Sequence, residues 1–263
     1  MIKGISKLIL PKLSMAEFFE QAFKAGYKCV ELGIGREGEL TLATDDAGIA
    51  AINALSSKYE LPVKSCVHSQ CTGNLLASGD EQKRSIDETV KGLEVAKKLG
   101  ATVTLTTMGR LQENLYYDDA YNNVISALKT IAPEAKRIGV RLAVEFIWNG
   151  FLFSPLEMKR LLDTVNDPFI GFYFDPGNMA VFQFPQHWAR ILGKHIMMAH
   201  AKDWQGGALN GGWPGLLKGK VDFPVVMAEL RAAGYDDAII SEVDPAEASL
   251  EETSAALDKI IAM

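Results

Sequence analysis

Apolar runs of strand length alternate with longer stretches of helical period along almost the whole chain. The strand runs lie at 2–9, 28–33, 62–68, 102–107, 141–146, 169–175, 196–200 and 237–242. The helical stretches lie near 14–25, 44–59, 80–99, 117–138, 154–165, 182–193, 222–233 and 246–262. In 80–99, Ile86, Val90, Leu93, Val95 and Ala96 fall on one side and Lys83, Arg84, Asp87, Lys91 and Lys98 on the other, the pattern of a helix with one buried face. Ser14 and Ser154 stand at N-cap positions, the second followed by Pro155 at the first helical position. Ala25-Gly26, Leu99-Gly100, Ile138-Gly139 and Ala233-Gly234 read as helix stops leading into the next strand.

Strands that alternate with helices pair in parallel. Eight such units predict an α/β fold, one (β/α)8 TIM barrel that takes up residues 1–263 as a single domain. An open doubly wound sheet is the competing arrangement. It would carry a Gly-rich phosphate loop after its first strand, where this chain has Leu8-Ile9-Leu10-Pro11-Lys12.

In such barrels the C-terminal strand ends face the active site. Four successive strand runs end on a potential metal ligand: Glu145 after Arg141-Leu-Ala-Val, Asp175 after Ile170-Gly-Phe-Tyr-Phe, His200 after His195-Ile-Met-Met-Ala, and Glu242 after Ala238-Ile-Ile-Ser. A single strand-end carboxylate usually caps the next helix. Four potential ligands at equivalent places point instead to one divalent-metal site. Three carboxylates and an imidazole form a hard-to-borderline set that favours Mn2+ and also suits Mg2+, Co2+ or Zn2+.

Composition narrows the partners. The net charge is −6 with no basic block, which argues against a nucleic-acid partner. No apolar run approaches the roughly 20 residues that cross a bilayer. Met1-Ile-Lys-Gly-Ile-Ser6 lacks the pattern of a secretory leader. Cys29, Cys66 and Cys71 are odd in number and lack zinc-finger spacing, so a reduced, cytoplasmic setting is expected.

The phrases Ala143-Val-Glu145, Phe174-Asp-Pro-Gly-Asn178, Ala199-His-Ala-Lys-Asp203, Gly219-Lys-Val-Asp-Phe223 and Ser241-Glu-Val243 resemble the xylose isomerase-like TIM-barrel superfamily of sugar isomerases and epimerases. In motif style the chain is most similar to the ketopentulose-phosphate 3-epimerases and to the inosose dehydratase/isomerase relatives. The resemblance implies that Glu145, Asp175, His200 and Glu242 hold one divalent metal ion. It also implies that Glu145 and Glu242 act as an acid/base pair on a sugar or sugar phosphate, through an enediolate. A homo-oligomer is in keeping with that family.

The chain also departs from the tagatose-type 3-epimerases. Phe151 stands where those enzymes carry a second glutamate, Asn178 where they carry a histidine, and no arginine occurs near Gly206. The exact substrate is therefore not transferable. The related endonuclease IV branch needs a histidine-rich three-metal cluster, which a chain with four histidines does not supply.

Further candidates for substrate contact are His68 and Glu31 at strand ends, Lys202 two residues after His200, Asn178 at the start of a helix, and the loop aromatics Trp148 and Trp204, with Trp213 and Phe151 beside them. Two other functions use the same parts: a metal-dependent dehydratase or lyase of a keto-polyol or 3-keto sugar, and a sugar-binding protein without catalysis.

Overall fold

The structure is a computed structural model that describes residues 1–263. Eight parallel strands follow one another around a closed barrel: β1 (Ile2–Ser6), β2 (Cys29–Gly33), β3 (Val63–Val67), β4 (Val103–Thr106), β5 (Arg141–Glu145), β6 (Ile170–Phe174), β7 (Ile196–Ala201) and β10 (Ala238–Ser241). The seam between last and first strands is closed by the register pairs Ile2↔Ala238 and Gly4↔Ile240. β8 (Gln205–Gly207) and β9 (Asn210–Gly212) form a separate antiparallel hairpin after β7. The helices are α1 (Met15–Lys24), α2 (Asp46–Tyr59), α3 (Gly79–Lys98), α4 (Tyr117–Ile138), α5 (Pro155–Val165), α6 (Pro176–Ala180), α7 (Pro185–Leu192), α8 (Phe223–Ala232) and α9 (Leu250–Ala262). None is long and apolar enough to cross a membrane.

The expected barrel is therefore present, and its helix boundaries follow the local signals. Ser14 caps α1 in a reciprocal box with Glu17, and Ser249 does the same for α9 with Glu252. Ser154 occupies the N-cap position of α5 but accepts no capping hydrogen bond, leaving Pro155 to set the first turn. Besides the β8–β9 hairpin, two stretches differ from expectation. The first strand stops at Ser6 because the Ser6 hydroxyl accepts the Leu8 N–H and turns Lys7–Ile9 into a 3-10 helix. The helix expected over 182–193 is preceded by the short α6, which Asp175 caps and Pro176 starts.

Strand alternation divides the core in two. Cys29, Val67, Val103, Leu105, Ala143, Tyr173, Met198, Ala238 and Ile240 fill the barrel interior. Their neighbours, including Val30, Cys66, Val144, Phe172, Phe174 and Ile239, pack outward against the helices.

This alternation overturns the placement of His68 at the substrate. His68 shares its side with Cys66, not with the inward Ser65 and Val67, so its ring enters the layer between barrel and α3. There it lies fully buried, its Nε2 3.1 Å from the Thr104 hydroxyl. A Cβ on Gly92 of α3 would stand 3.1 Å from the ring, a tight contact, so α3 packs closely on the imidazole at this point. Burial lowers the His68 pKa from 6.5 to about 4. The unfolded chain thus takes up a proton over a range in which the folded chain does not. The stability contribution is complete above pH 6.5 and is lost as pH falls towards 4, by about 3 kcal/mol in all. Urea midpoints followed from about pH 7 to 4.5 should fall less steeply for His68→Asn than for the wild type; parallel curves would remove His68 as the source of the acid sensitivity.

Candidate metal centre

Three of the expected ligands converge. Glu145 is the last residue of β5, Asp175 follows β6 directly, and His200 lies in β7, so neighbouring strands bring the three side chains to one rim. Their ligand atoms lie within 4.8 Å of one another, all buried. His200 Nδ1 is 3.6 Å from Glu145 Oε1 and 3.8 Å from Asp175 Oδ2. Bond lengths of about 2.1 Å around one ion place neighbouring ligand atoms roughly 3.0–3.5 Å apart, so the two carboxylate oxygens need to approach His200 Nδ1 by only a few tenths of an ångström.

Local structure explains why these atoms are free. Asp175 Oδ1 accepts the Asn178 N–H at 3.1 Å and so caps α6, which leaves Oδ2 buried without a partner. His200 Nε2 is held 3.0 Å from Glu31 Oε1, which leaves Nδ1 equally orphaned and aimed at the two carboxylates. Buried polar atoms without partners are rare in folded proteins. Two of them facing a third ligand fit a bound cation, and an imidazole steadied by a carboxylate on its far nitrogen is the usual support for such a ligand.

Glu31, expected at the substrate, lies beneath the histidine instead. It is fully buried and accepts from the Ser65 hydroxyl, the Tyr173 hydroxyl and His200. Burial works against its charge, but His200 and the two hydroxyls outweigh this and hold its pKa below the ordinary carboxylate value. Sequence reasoning did not single out Tyr173, although it stands two residues before Asp175 and so shares its inward side.

Electrostatics around the triad are unbalanced. Burial is the main cause that pushes the Glu145 pKa up to about 7; Asp175 and Glu242 add to the rise and His200 opposes it. Burial likewise opposes charge on His200, yet Glu31, Glu242, Asp175 and Glu145 together raise its pKa well above 6.5. For Asp175, burial is outweighed by Lys202, His200 and the Asn178 N–H, and its pKa is lowered.

The structure does not bring Glu242 into the triad. Its Oε2 accepts from Lys202 Nζ at 2.6 Å, and the same ammonium lies 3.8 Å from Asp175 Oδ2. Lys202 thus bridges the fourth carboxylate to the triad as an internal counter-ion. Its stem crosses α6 where a Cβ on Gly177 would come within 2.7 Å of Lys202 Cγ, which accounts for glycine in Asp175-Pro-Gly-Asn178. Asn178 Nδ2 donates to Glu145 Oε1 at 3.1 Å and so fixes that carboxylate.

The aromatics form one wall. Trp148 stacks on Trp213 with centroids 5.2 Å apart, Trp204 meets Trp213 edge-on at 4.7 Å, and Lys202 Nζ lies 4.6 Å from the Trp213 ring. Trp148 also donates to the Asn178 carbonyl at 3.1 Å. Trp148 is part-exposed, whereas Trp204 is buried behind it, and Phe151 is buried against Tyr117 and Tyr121. Asp203 anchors the loop beneath this wall, accepting the N–H groups of Trp204, Gly219 and Val221 at 2.9, 2.8 and 3.1 Å. It was not among the sequence candidates, although it closes the phrase Ala199-His-Ala-Lys-Asp203. Glu145, Asn178, His200, Lys202 and Glu242 line a cavity of about 220 Å³.

The chain matches the Xylose isomerase-like TIM barrel family over residues 19–260. Among solved structures it is similar to a D-psicose 3-epimerase crystallised in the presence of D-fructose, with TM-score 0.83, 16% identity and 100% of each chain covered. It is also similar to the 3-keto-D-glucoside 4-epimerase YcjR of E. coli, with TM-score 0.80, 15% identity and 100% of each chain covered. The IOLI protein with a bound zinc atom gives TM-score 0.81 at 16% identity, covering 100% of this chain and 98% of that one. At these identities the likeness to each structure is one of fold. No curated protein matches the chain. The family match spans nearly every strand and helix of the closed barrel, and the chain belongs to the xylose isomerase-like TIM-barrel family.

Proposed function

We propose that the protein is a divalent-metal-dependent isomerase or epimerase of a keto sugar. The observation that carries this reading is the orphaned pair His200 Nδ1 and Asp175 Oδ2, buried beside Glu145 and aimed at a common point. Glu145, Asp175 and His200 would hold the ion, with Glu242 as the fourth ligand once it exchanges Lys202 for the metal. When bound, such an ion polarises a carbonyl and its neighbouring hydroxyl and so acidifies the C–H between them. The epimerases among the structural neighbours are in keeping with this chemistry.

The protein's own groups supply the proton handling. Glu145 is fixed by Asn178 through Oε1, and its other oxygen makes no hydrogen bond within the protein. A cation held beside Glu145 would offset the burial that raises its pKa and weaken it as a base, so proton transfer to this carboxylate would depend on the acidity that the ion lends the C–H. Glu242 reaches the same cavity from β10, so the two carboxylates address the substrate from different sides. A proton removed by one and returned by the other to the same carbon inverts it. Return to the neighbouring carbon interconverts aldose and ketose. The Trp148–Trp213 stack stands beside Lys202 and Asn178 and packs the loops that border the cavity.

In D2O, the Mn2+-loaded protein should place deuterium on the carbon next to the carbonyl of its sugar substrate, read by NMR. Glu145→Gln should slow this by about 100-fold or more while the far-UV circular dichroism stays native; wild-type exchange in that variant would take Glu145 out of its role. A stable loss of water in place of an isomer mixture would assign a dehydratase instead.

Metal affinity tests the ligand set separately. Titration calorimetry with Mn2+ should show binding lost in Asp175→Ala and weakened by about 10- to 100-fold in Glu31→Gln, which leaves the His200 imidazole without its charged support. Because the ion must displace protons from His200 and Glu145, wild-type affinity should rise with pH. Unchanged binding in both variants would refute this ligand arrangement.

A further inference from the structure

The metal cavity does not stand alone at the rim. Its wall at Leu8 is shared with a second, open cleft of about 580 Å³ formed where β1, β2 and β3 end. Ser69 stands at the lip of the cavity and Gln70, the next residue, lines the cleft. Going round the barrel, β2 lies diametrically opposite β6. The stacked tryptophans lie on the loops after β5 and β7, on either side of β6, whereas the open cleft lies at the ends of β1, β2 and β3.

Size sets a first condition. A cavity of about 220 Å³ falls below the range of about 300–1,000 Å³ that encloses drug-sized ligands, and has room for one sugar ring. A larger substrate continues over Leu8 into the cleft.

Charge sets a second condition. In the metal cavity, Lys202 is the one lysine, and it is already paired with Glu242 and Asp175. Two positive charges from a divalent ion together with Lys202 would balance Glu145, Asp175 and Glu242, and Glu31 adds a further negative charge once His200 is neutral, so no surplus is left for an anionic substrate. The cleft carries Lys7, Lys12, Glu17, Glu37 and Glu39, and Lys7 Nζ is taken up by the Leu10 carbonyl at 2.8 Å. Lys7 keeps its charge in that bond, so two ammonium groups stand among three carboxylates, of which Glu17 and Glu39 already accept the N–H groups of Ser14 and Met15. A phosphate ester needs several convergent N–H or cationic donors, and the side chains of neither wall carry a surplus of positive charge. Hydroxyl groups, by contrast, pair readily with mixed carboxylate, ammonium and amide side chains.

We infer that the substrate is an uncharged keto-saccharide of at least two units, with its reacting ring in the metal cavity and a second polyhydroxylated unit in the cleft over Leu8. The inference rests on the metal cavity being the reacting centre.

The test measures binding to the Mn2+-loaded protein by calorimetry, with deuterium exchange followed in parallel. The probes are D-fructose, D-fructose 6-phosphate, and four uncharged disaccharides that carry a hexose on O3, O4, O5 or O6 of fructose: turanose, lactulose, leucrose and isomaltulose. At least one disaccharide should bind about tenfold or more tighter than fructose and than its phosphate. Gln70→Trp, which places a bulky ring at the point where the cleft adjoins the metal cavity, should remove most of that preference. Fructose 6-phosphate binding most tightly, no disaccharide exceeding fructose, a preference unaffected by Gln70→Trp, or no binding by any probe would each overturn the inference. A disaccharide preference without exchange would uphold the substrate class and refute the proposed proton chemistry. Exchange on fructose without a preference would do the reverse.

Discussion

Buried negative charge is the constraint around which the centre is built. Glu31, Glu145, Asp175 and Glu242 all point into the barrel, against one lysine and one histidine. Carboxylates removed from water are costly unless they are paired and hydrogen-bonded. Each surrounding feature answers that cost. The N-terminus of α6 serves one oxygen of Asp175, Asn178 serves one oxygen of Glu145, and two hydroxyls with His200 serve Glu31. Lys202 spans the remainder. What stays unsatisfied is confined to a few atoms at one point, and that is where a cation would be held.

The same constraint joins the lower and upper parts of the site. Below, Ser65, Tyr173, Glu31 and His200 link β3, β6, β2 and β7 across the barrel interior, so the orientation of the imidazole is set by side chains from four strands. Above, Lys202 leans on Trp213, and Asp203 beside it gathers the backbone of the loop that carries the tryptophan. Two adjacent residues therefore couple the charge balance of the centre to the shape of its wall. The open cleft lies away from these tryptophans, at the ends of β1, β2 and β3.

Much of this was legible from residues alone. Alternating strand and helix periods predicted the closed barrel, and strand-end position predicted that Glu145, Asp175 and His200 would meet. Asn178 and Lys202 also fall in the cavity, although their observed partners are the ligands themselves. Glu242 was expected as an equal fourth ligand and is instead drawn to Lys202, a competition between side chains that sequence spacing does not express. His68 and Glu31 show two different limits. For His68 the strand end was right and the side of the strand was not, since a shift of one residue turns a side chain from the interior to the helix layer. For Glu31 the side was right but the depth was not: it lies low enough in the barrel for His200 to cover it.

The sequence by itself determined the order and type of the barrel strands and of the main helices, the capping of α1 by Ser14, and the presence of ligand-type residues at the ends of successive strands. These follow from interactions within a few residues, where periodicity and hydrogen bonding to nearby N–H groups suffice. Only the tertiary structure decided which of those residues share a cavity, which nitrogen of His200 is free, and which carboxylate Lys202 claims. Those outcomes depend on distances between side chains up to 169 residues apart, as with Glu31 and His200, and such distances exist only once the β1–β10 seam has closed.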